Sequence, residues 1–561
     1  MADGIRQQRS AASILDVSGG MDSRNKPWLL AENRAAFLEN VRIDRNGAVR
    51  RREGAASIGA ASGATSVNLP YGLFTFYDRR TFGAQVLYSV NGGKLFLWPG
   101  DAQVLEKACG ASLVDALHMG NRGLWNGVDS LFVSQAQLHD TNQSLASRLL
   151  VIDIDNNFSV NQSMAPLCTT WWQGRLWVGG NRLTQDTDTL WWSSLNDGIY
   201  YSLTNSIRVE PGRGGRITGL LPVRSLSPNL LVFKEDLIAL FGVVWGSNSS
   251  FIPGPSDALD TIASSVRVVA ENVGCIATRS IQYVPGAPTG DIFFLSKDGF
   301  RSISRAADDT VSGAALPLSA IIQDQVDRIN FAYAHKAVSA VIDQKYHCAV
   351  PLDGSTENTH VFSFDLITGA WFLNTWDPKD FTIARLNQTQ DRLLLQNNVL
   401  TTDSTASGTW TGWHTYRAYS GDIDPGGAPV KYTFDTRAFT FGALGMRKKW
   451  SWVGFQVENE NATAAIDVLY RLNNGEWFSL GSLAFPVGSL NLITLGVDPL
   501  PWAPDGVTIN YRKLGMEDIE PGYTMQFRVV QTGPSDFGFP SVIMHEALAR
   551  VIDPEFSNEI T

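Results

Sequence analysis

Two closely spaced carboxylate pairs, Asp153/Asp155 and Asp422/Asp424, have the residue types for general acid–base work. Such pairs hydrolyse glycosides when held at defined separations across a sugar. Both lie in turn-like contexts, so they are read as solvated loop acids. The seven histidines are scattered, with no H-E-x-x-H and no H-x-H, and no metal-ligand cluster is indicated. Cys109, Cys168, Cys275 and Cys348 contain no C-x-x-C pair and are expected to be buried free thiols. The glycine-rich "PGRGGRITG" (211–219) lacks the Lys-Ser/Thr step and the helix of a phosphate-cradling loop, and is read as a flexible surface loop. No G-x-S-x-G elbow occurs. No catalysis, metal or cofactor is expected.

Two features invite ligands more strongly. Trp171, Trp172 and Trp177 in "WWQGRLWVGG", with Trp191 and Trp192 in "TLWWSS", offer flat rings that suit a sugar face. Adjacent residues on a strand point to opposite faces, so at least one of each tryptophan pair must turn inward. They are therefore expected to be packing residues of a sheet. Arg50, Arg51 and Arg52 in "VRRREG" follow an Asn46-Gly47 hairpin signal. On a strand, Arg50 and Arg52 project to one side and Arg51 to the other. They are either a solvated, charge-protected hairpin edge or a contact to an acidic partner.

The elements that would position these residues are mostly strands. The chain has 561 residues, 51 of them Gly and 17 Trp, and a net charge of -10. Residues 1–60 are net +3, so the remainder carries -13. An acidic body repels DNA passing nearby rather than gripping it. No apolar run is long enough to span a membrane, and "MADGIRQQRSAAS" has no apolar signal core, so neither a membrane span nor a cleaved signal is expected. From residue 68 to 400, short alternating runs such as "KLFLW", "RLLVIDID", "RLWVGG" and "DIFFLSKDG" recur between Gly and Asn turns. Their spacing of about 40–60 residues overlaps that of propeller blades. The expected fold is all-β: an irregular β-propeller of five to seven blades plus a β-sandwich-like platform domain, with few short helices. Expected boundaries are an N-terminal arm and hairpin at 1–65, the propeller at 66–425, and the platform at 430–561. Helical spacing appears in "LLAENRAAFLEN" and near 318–335, where Leu318, Ile321, Ile322, Val326 and Ile329 share one apolar face. The second is expected to be an insertion on the propeller edge.

Several stretches, in order, resemble tail nozzle or tail-tube hub proteins of short-tailed bacteriophages. The N-terminal signature is carried by Gly19-Gly20, Asn40-Val41 and Gly47-Ala48-Val49 leading to Arg52 and Gly54. "WWQGRLWVGGNRLTQDTDTLWWSSLNDGIYYSL", "LLVFKEDLIALFG" and "DIFFLSKDGFRSIS" resemble blades of the same proteins. The resemblance covers about residues 14–305 in pieces. It implies a structural virion protein of the phage tail. Such a protein forms a homo-oligomeric ring, usually a hexamer, below the portal and its head-to-tail adaptor. Tail fibre or spike proteins are its neighbours, and viral DNA passes through the channel during ejection. The rival reading is a carbohydrate-binding or glycan-degrading propeller.

Overall fold

Short runs rich in Leu, Val, Phe and Trp, many of them ended by Asn, Gln or Gly at positive φ, assemble into antiparallel sheets. The computed structural model describes residues 9–12, 17–43, 49–60, 70–77, 85–91, 94–98, 105–108, 118–135, 149–153, 158–161, 163–202, 205–223, 229–245, 261–285, 290–304, 316–385, 391–397, 401–405, 408–412, 414–421, 423–425, 429–441, 445–460, 464–485, 507–531 and 541–552. Asp155, Asp422, Cys109 and the Asn46-Gly47 turn lie outside them.

Five four-stranded sheets are the blades of a β-propeller. The first four begin with Pro70–Tyr77, His118–Trp125, Pro166–Trp172 and Ile217–Val223. The fifth combines Pro378–Ala384, Arg392–Asn397 and His414–Ala418 with Ala55–Ala60 from the other end of the chain. Between the fourth and fifth blades lie a three-stranded sheet that starts at Gln282–Val284 and the strands Val338–Ile342 to Trp371–Asn374. The first strands of these four blades lie side by side; the fourth reaches Val338–Ile342 through the turn Thr278–Ser280, and Val338–Ile342 lies beside Pro378–Ala384, which returns to Pro70–Tyr77, so these elements close a ring.

Side chains stitch that inner ring together. Asn121 donates to Thr169, Thr278 to the Thr218 carbonyl, and Ser339 to the Arg279 carbonyl. Asp380 accepts from the Leu73 amide at 2.7 Å and pairs with Arg279, whose guanidinium also lies over the Phe74 ring. Phe74, Thr169, Thr218, Ser339, Asp380 and Phe381 are all buried. These buried contacts bind each inner strand to its neighbour.

The platform is two facing sheets. One continues from Trp371–Asn374 through Phe37–Glu39, Thr433–Asp435, Met525–Gln531 and Ala464–Leu472 to Phe478–Phe485. The other orders Val41–Ile43, Val49–Arg51, Ser541–Ile552, Arg447–Glu460 and Val507–Gly515, with Arg9–Ala12 added to Ser541–Ile552. Leu38, Val41, Phe362, Trp371, Phe434, Trp450, Phe455, Val468 and Phe527 share one core, which burial from water stabilises.

The structure departs from the expected boundaries. Residues 37–60 are not a separate arm, because they supply strands to both platform sheets and the fifth blade. "LLAENRAAFLEN" is not a helix: its second half is the strand Phe37–Glu39, held by pairing to Thr433–Asp435. The apolar positions near 318–335 form only short helical turns, 320–322, 323–326 and 334–336. Ile322, Val326 and Ile329 face the core shared with Trp371 and Trp450, rather than lying on an outer edge.

Candidate functional site

Arg52 stands where hairpin, propeller and platform meet, and it is 1% exposed. Its guanidinium binds Asp424 through two parallel bonds of 2.6 and 2.7 Å, the planar fork geometry that suits a carboxylate. Its Nε donates to Asn40 Oδ1 at 2.8 Å, and its Cζ lies 4.5 Å from the centroid of the Trp376 ring. Trp376 in turn donates to Asp424 at 3.0 Å. Arg51 is equally buried and reaches the Val430 carbonyl. This corrects the expectation of a partner contact for Arg51 and Arg52. Asp424 and Val430 bind them from within the fold, and at 1% exposure neither is open to another protein. Arg50 is half-buried and paired in register with Arg42.

The other signature residues serve the same junction. Gly20 has φ +74°, and a Cβ there would sit 2.6 Å from Ala370 Cβ, where the following residue bonds to the Trp371 carbonyl. Asn40, at φ 55°, donates to Thr375 and the Lys431 carbonyl and accepts from Arg52 and the Thr375 amide. Gly54 lies against Ile423: a Cβ would come within 2.1 Å of the Ile423 carbonyl oxygen. That neighbour is backbone and cannot rotate aside. Gly54→Ala is therefore expected to destabilise the fold by about 1–3 kcal/mol, read as a lowered thermal midpoint.

The tryptophans divide between two blade interfaces. Trp172, Trp177 and Trp192 are buried together against Phe241 and Ile217 of the fourth blade. Their immediate neighbours Trp171 and Trp191 face the other way, with Trp171 stacked 6.0 Å from Phe132 of the second blade. Gln173 and Gly174, at φ 50° and 73°, make the turn between the two strands of "WWQGRLWVGG".

The glycine-rich segment at 211–219 is ordered around a cation. Lys234, fully buried, donates to the carbonyls of Val209, Glu210 and Arg213 and pairs with Asp188 at 2.9 Å. Carbonyls turned toward an ammonium cannot cradle an anion. His347 is buried against Ser363, at 2.7 Å, and burial pushes its pKa down to about 3. That pair has the atoms of a nucleophile and base but no access for substrate. Cys168, Cys275 and Cys348 are buried free thiols. Among the described residues, no group of three or more His, Cys, Asp or Glu is placed to hold a metal ion, and no helix is long and apolar enough to cross a membrane. The Arg279–Asp380 pair of the inner strands has no local mark in the sequence, because its members are 101 residues apart.

No family model and no curated protein matches this chain. Among solved structures, BBS1N in complex with ARL6DN is 11% identical, covering 72% of this chain and 97% of that one, at a TM-score of 0.28. An exo-β-1,3-galactanase from Phanerochaete chrysosporium is 9% identical, covering 89% and 100%, at 0.25. A glycoside hydrolase family 43 arabinoxylan arabinofuranohydrolase from Bacillus subtilis is 9% identical, covering 77% and 95%, at 0.21. None of these likenesses is close enough to assign an activity.

The junction also holds a titrating group. Burial pushes Asp377, next to Trp376, up to about 7, with the Asp424 charge adding to the effect and Lys379 opposing it. A folded-state pKa above the unfolded value near 3.9 means that the folded chain binds the extra proton. The resulting stabilisation is complete below about pH 4 and is lost as pH rises through about 7. Asp377→Asn should therefore raise the thermal midpoint at pH 8 and leave it unchanged at pH 4.

Proposed function

We propose that this chain is a structural protein of a bacteriophage tail. In this reading, copies form a closed ring, a hexameric nozzle, below the portal and adaptor, and the ring conducts and retains the genome. What supports it most is the agreement between signature and junction. Gly20, Asn40, Arg52 and Gly54, the residues that carry the resemblance, each make a contact that locks hairpin, propeller and platform together. A rigid subunit of this kind suits a ring whose heterologous interfaces must close. In this reading the DNA path runs between subunits, because the inner strands of each propeller are bonded and packed against one another. The acidic balance of the chain lets DNA slide along such a wall. No enzymatic activity is proposed. Asp380, on the inner strand Pro378–Ala384, is fully buried and bound to Arg279 and backbone amides.

The mass of the purified full chain, alone and with its adaptor, tests this reading. Particles six times the 61.4 kDa subunit are expected. A strict monomer under both conditions would sink it. A glycan array and a polysaccharide-cleavage assay address the rival glycan reading. Trp172, Trp177 and Trp192, at 7% exposure or less, present no face to a sugar, so no binding at that cluster is expected.

A further inference from the structure

On the nine-stranded platform sheet two guanidiniums share one indole ring. Arg471, on Ala464–Leu472, pairs in register with Gln526, and two positions away Leu469 pairs with Arg528. Both guanidiniums lie on the Trp477 ring, at 4.6 Å for Arg471 and 4.4 Å for Arg528. Arg528 is neutralised by two bonds to Asp435, at 2.6 and 2.7 Å. Arg471 is different. Its Nε donates to Gln526 at 2.7 Å, while its two terminal nitrogens meet no acceptor among the described residues. Partial burial draws its pKa below the ordinary guanidinium value; Asp435 opposes the shift and Arg528 adds to it. The Trp477 shelf and the Gln526 bond hold the fork in place, which lowers the entropy lost when it binds.

The surroundings select the ligand. A polyanion such as DNA is held by a stripe of uncompensated cations. This face instead offers one guanidinium with free terminal nitrogens among the described residues, near the Arg528–Asp435 pair, which suits a single carboxylate. The chain presents such carboxylates elsewhere. Met516 and Ile519 anchor a loop in the core, and the residues between and after them, Glu517, Asp518 and Glu520, are exposed. None of the three has an ion-pair partner among the described residues, and none reaches Arg471 of its own chain. A head-to-tail interface satisfies both halves at once, and each copy uses both in a closed ring.

We infer that Arg471, held on Trp477 beside Arg528, is the receptor for an acidic side chain from the Glu517–Glu520 loop of a second copy of this chain. The inference rests on the ring reading proposed above and names one of its interfaces.

Charge reversal in the full chain tests it by sedimentation velocity. Arg471→Glu alone, or Glu517→Lys with Asp518→Lys and Glu520→Lys, is expected to weaken self-association about tenfold or more. Arg471→Gln should weaken it less. All four reversals combined in one chain should restore association, a recovery that misfolding cannot produce. If the wild type forms rings and the reversals leave them unchanged, or if the combined chain does not recover, the inference falls and the ring reading stands. If the wild type never self-associates, alone or with its adaptor, both fall. If Arg471→Glu abolishes binding to double-stranded DNA while rings persist, the site serves phosphate and the inference is overturned.

Discussion

Arg52→Ala is expected to lower the stability of the chain by about 3–5 kcal/mol, the usual cost of removing one partner from a buried ion pair. The change leaves the mostly buried Asp424 without its counter-charge, frees Asn40 Oδ1 of one donor, and strips a cation from the Trp376 face. Arg42, on the same hairpin, is the natural control. It meets Glu53 at 3.7 Å with both side chains exposed, so Arg42→Ala should cost no more than about 1 kcal/mol. Arg52→Lys should behave like a damaged variant rather than a conservative one. An ammonium cannot make the two parallel bonds or lie flat on the indole. Urea titration of the three variants separates these outcomes. Limited proteolysis should show that cleavage of Arg52→Ala begins in the segment around 420–430.

Trp177→Ala should be comparably severe, at about 3–5 kcal/mol. Trp177 is fully buried, with ring centroids 5.1 Å from Trp172, 5.2 Å from Trp192 and 5.5 Å from Phe241, and its Nε1 donates to the Trp172 carbonyl at 3.0 Å. Its removal opens a cavity between the third and fourth blades that these rings cannot close. Trp191→Ala, at the half-buried second-blade interface, should cost less. Thermal denaturation of both variants checks the order. If Trp191→Ala proved the more damaging, the assignment of the buried interface would be wrong.

Much of the architecture was legible because strands declare themselves locally. Alternation in "RLWVGG" and its Gln173-Gly174 turn needs only a few neighbours to interpret, and the opposite facing of Trp171 and Trp172 follows from strand geometry. What was hidden depends on residues far apart in the chain. Arg52 looks like part of a solvated basic run until Asp424, 372 residues away, is brought to it. Ala55–Ala60 carries no mark of the blade it completes, because its partner His414–Ala418 lies at the other end of the propeller. The segment at 211–219 reads as loose until Lys234 is placed inside it. The 318–335 region has helical periodicity, yet its apolar face is consumed by the shared core in short turns. Arg471 was not singled out, since nothing near it in sequence marks the partners that leave its terminal nitrogens unused.

The central claim is a ring of subunits around a path that no single propeller encloses. Electron-microscopic class averages of the purified full chain, alone and with its adaptor, test it most directly. The account predicts closed rings, six-fold, with an axial hole flanked by solid propellers. Isolated single subunits, or rings whose only opening runs through the propeller axis, would contradict it.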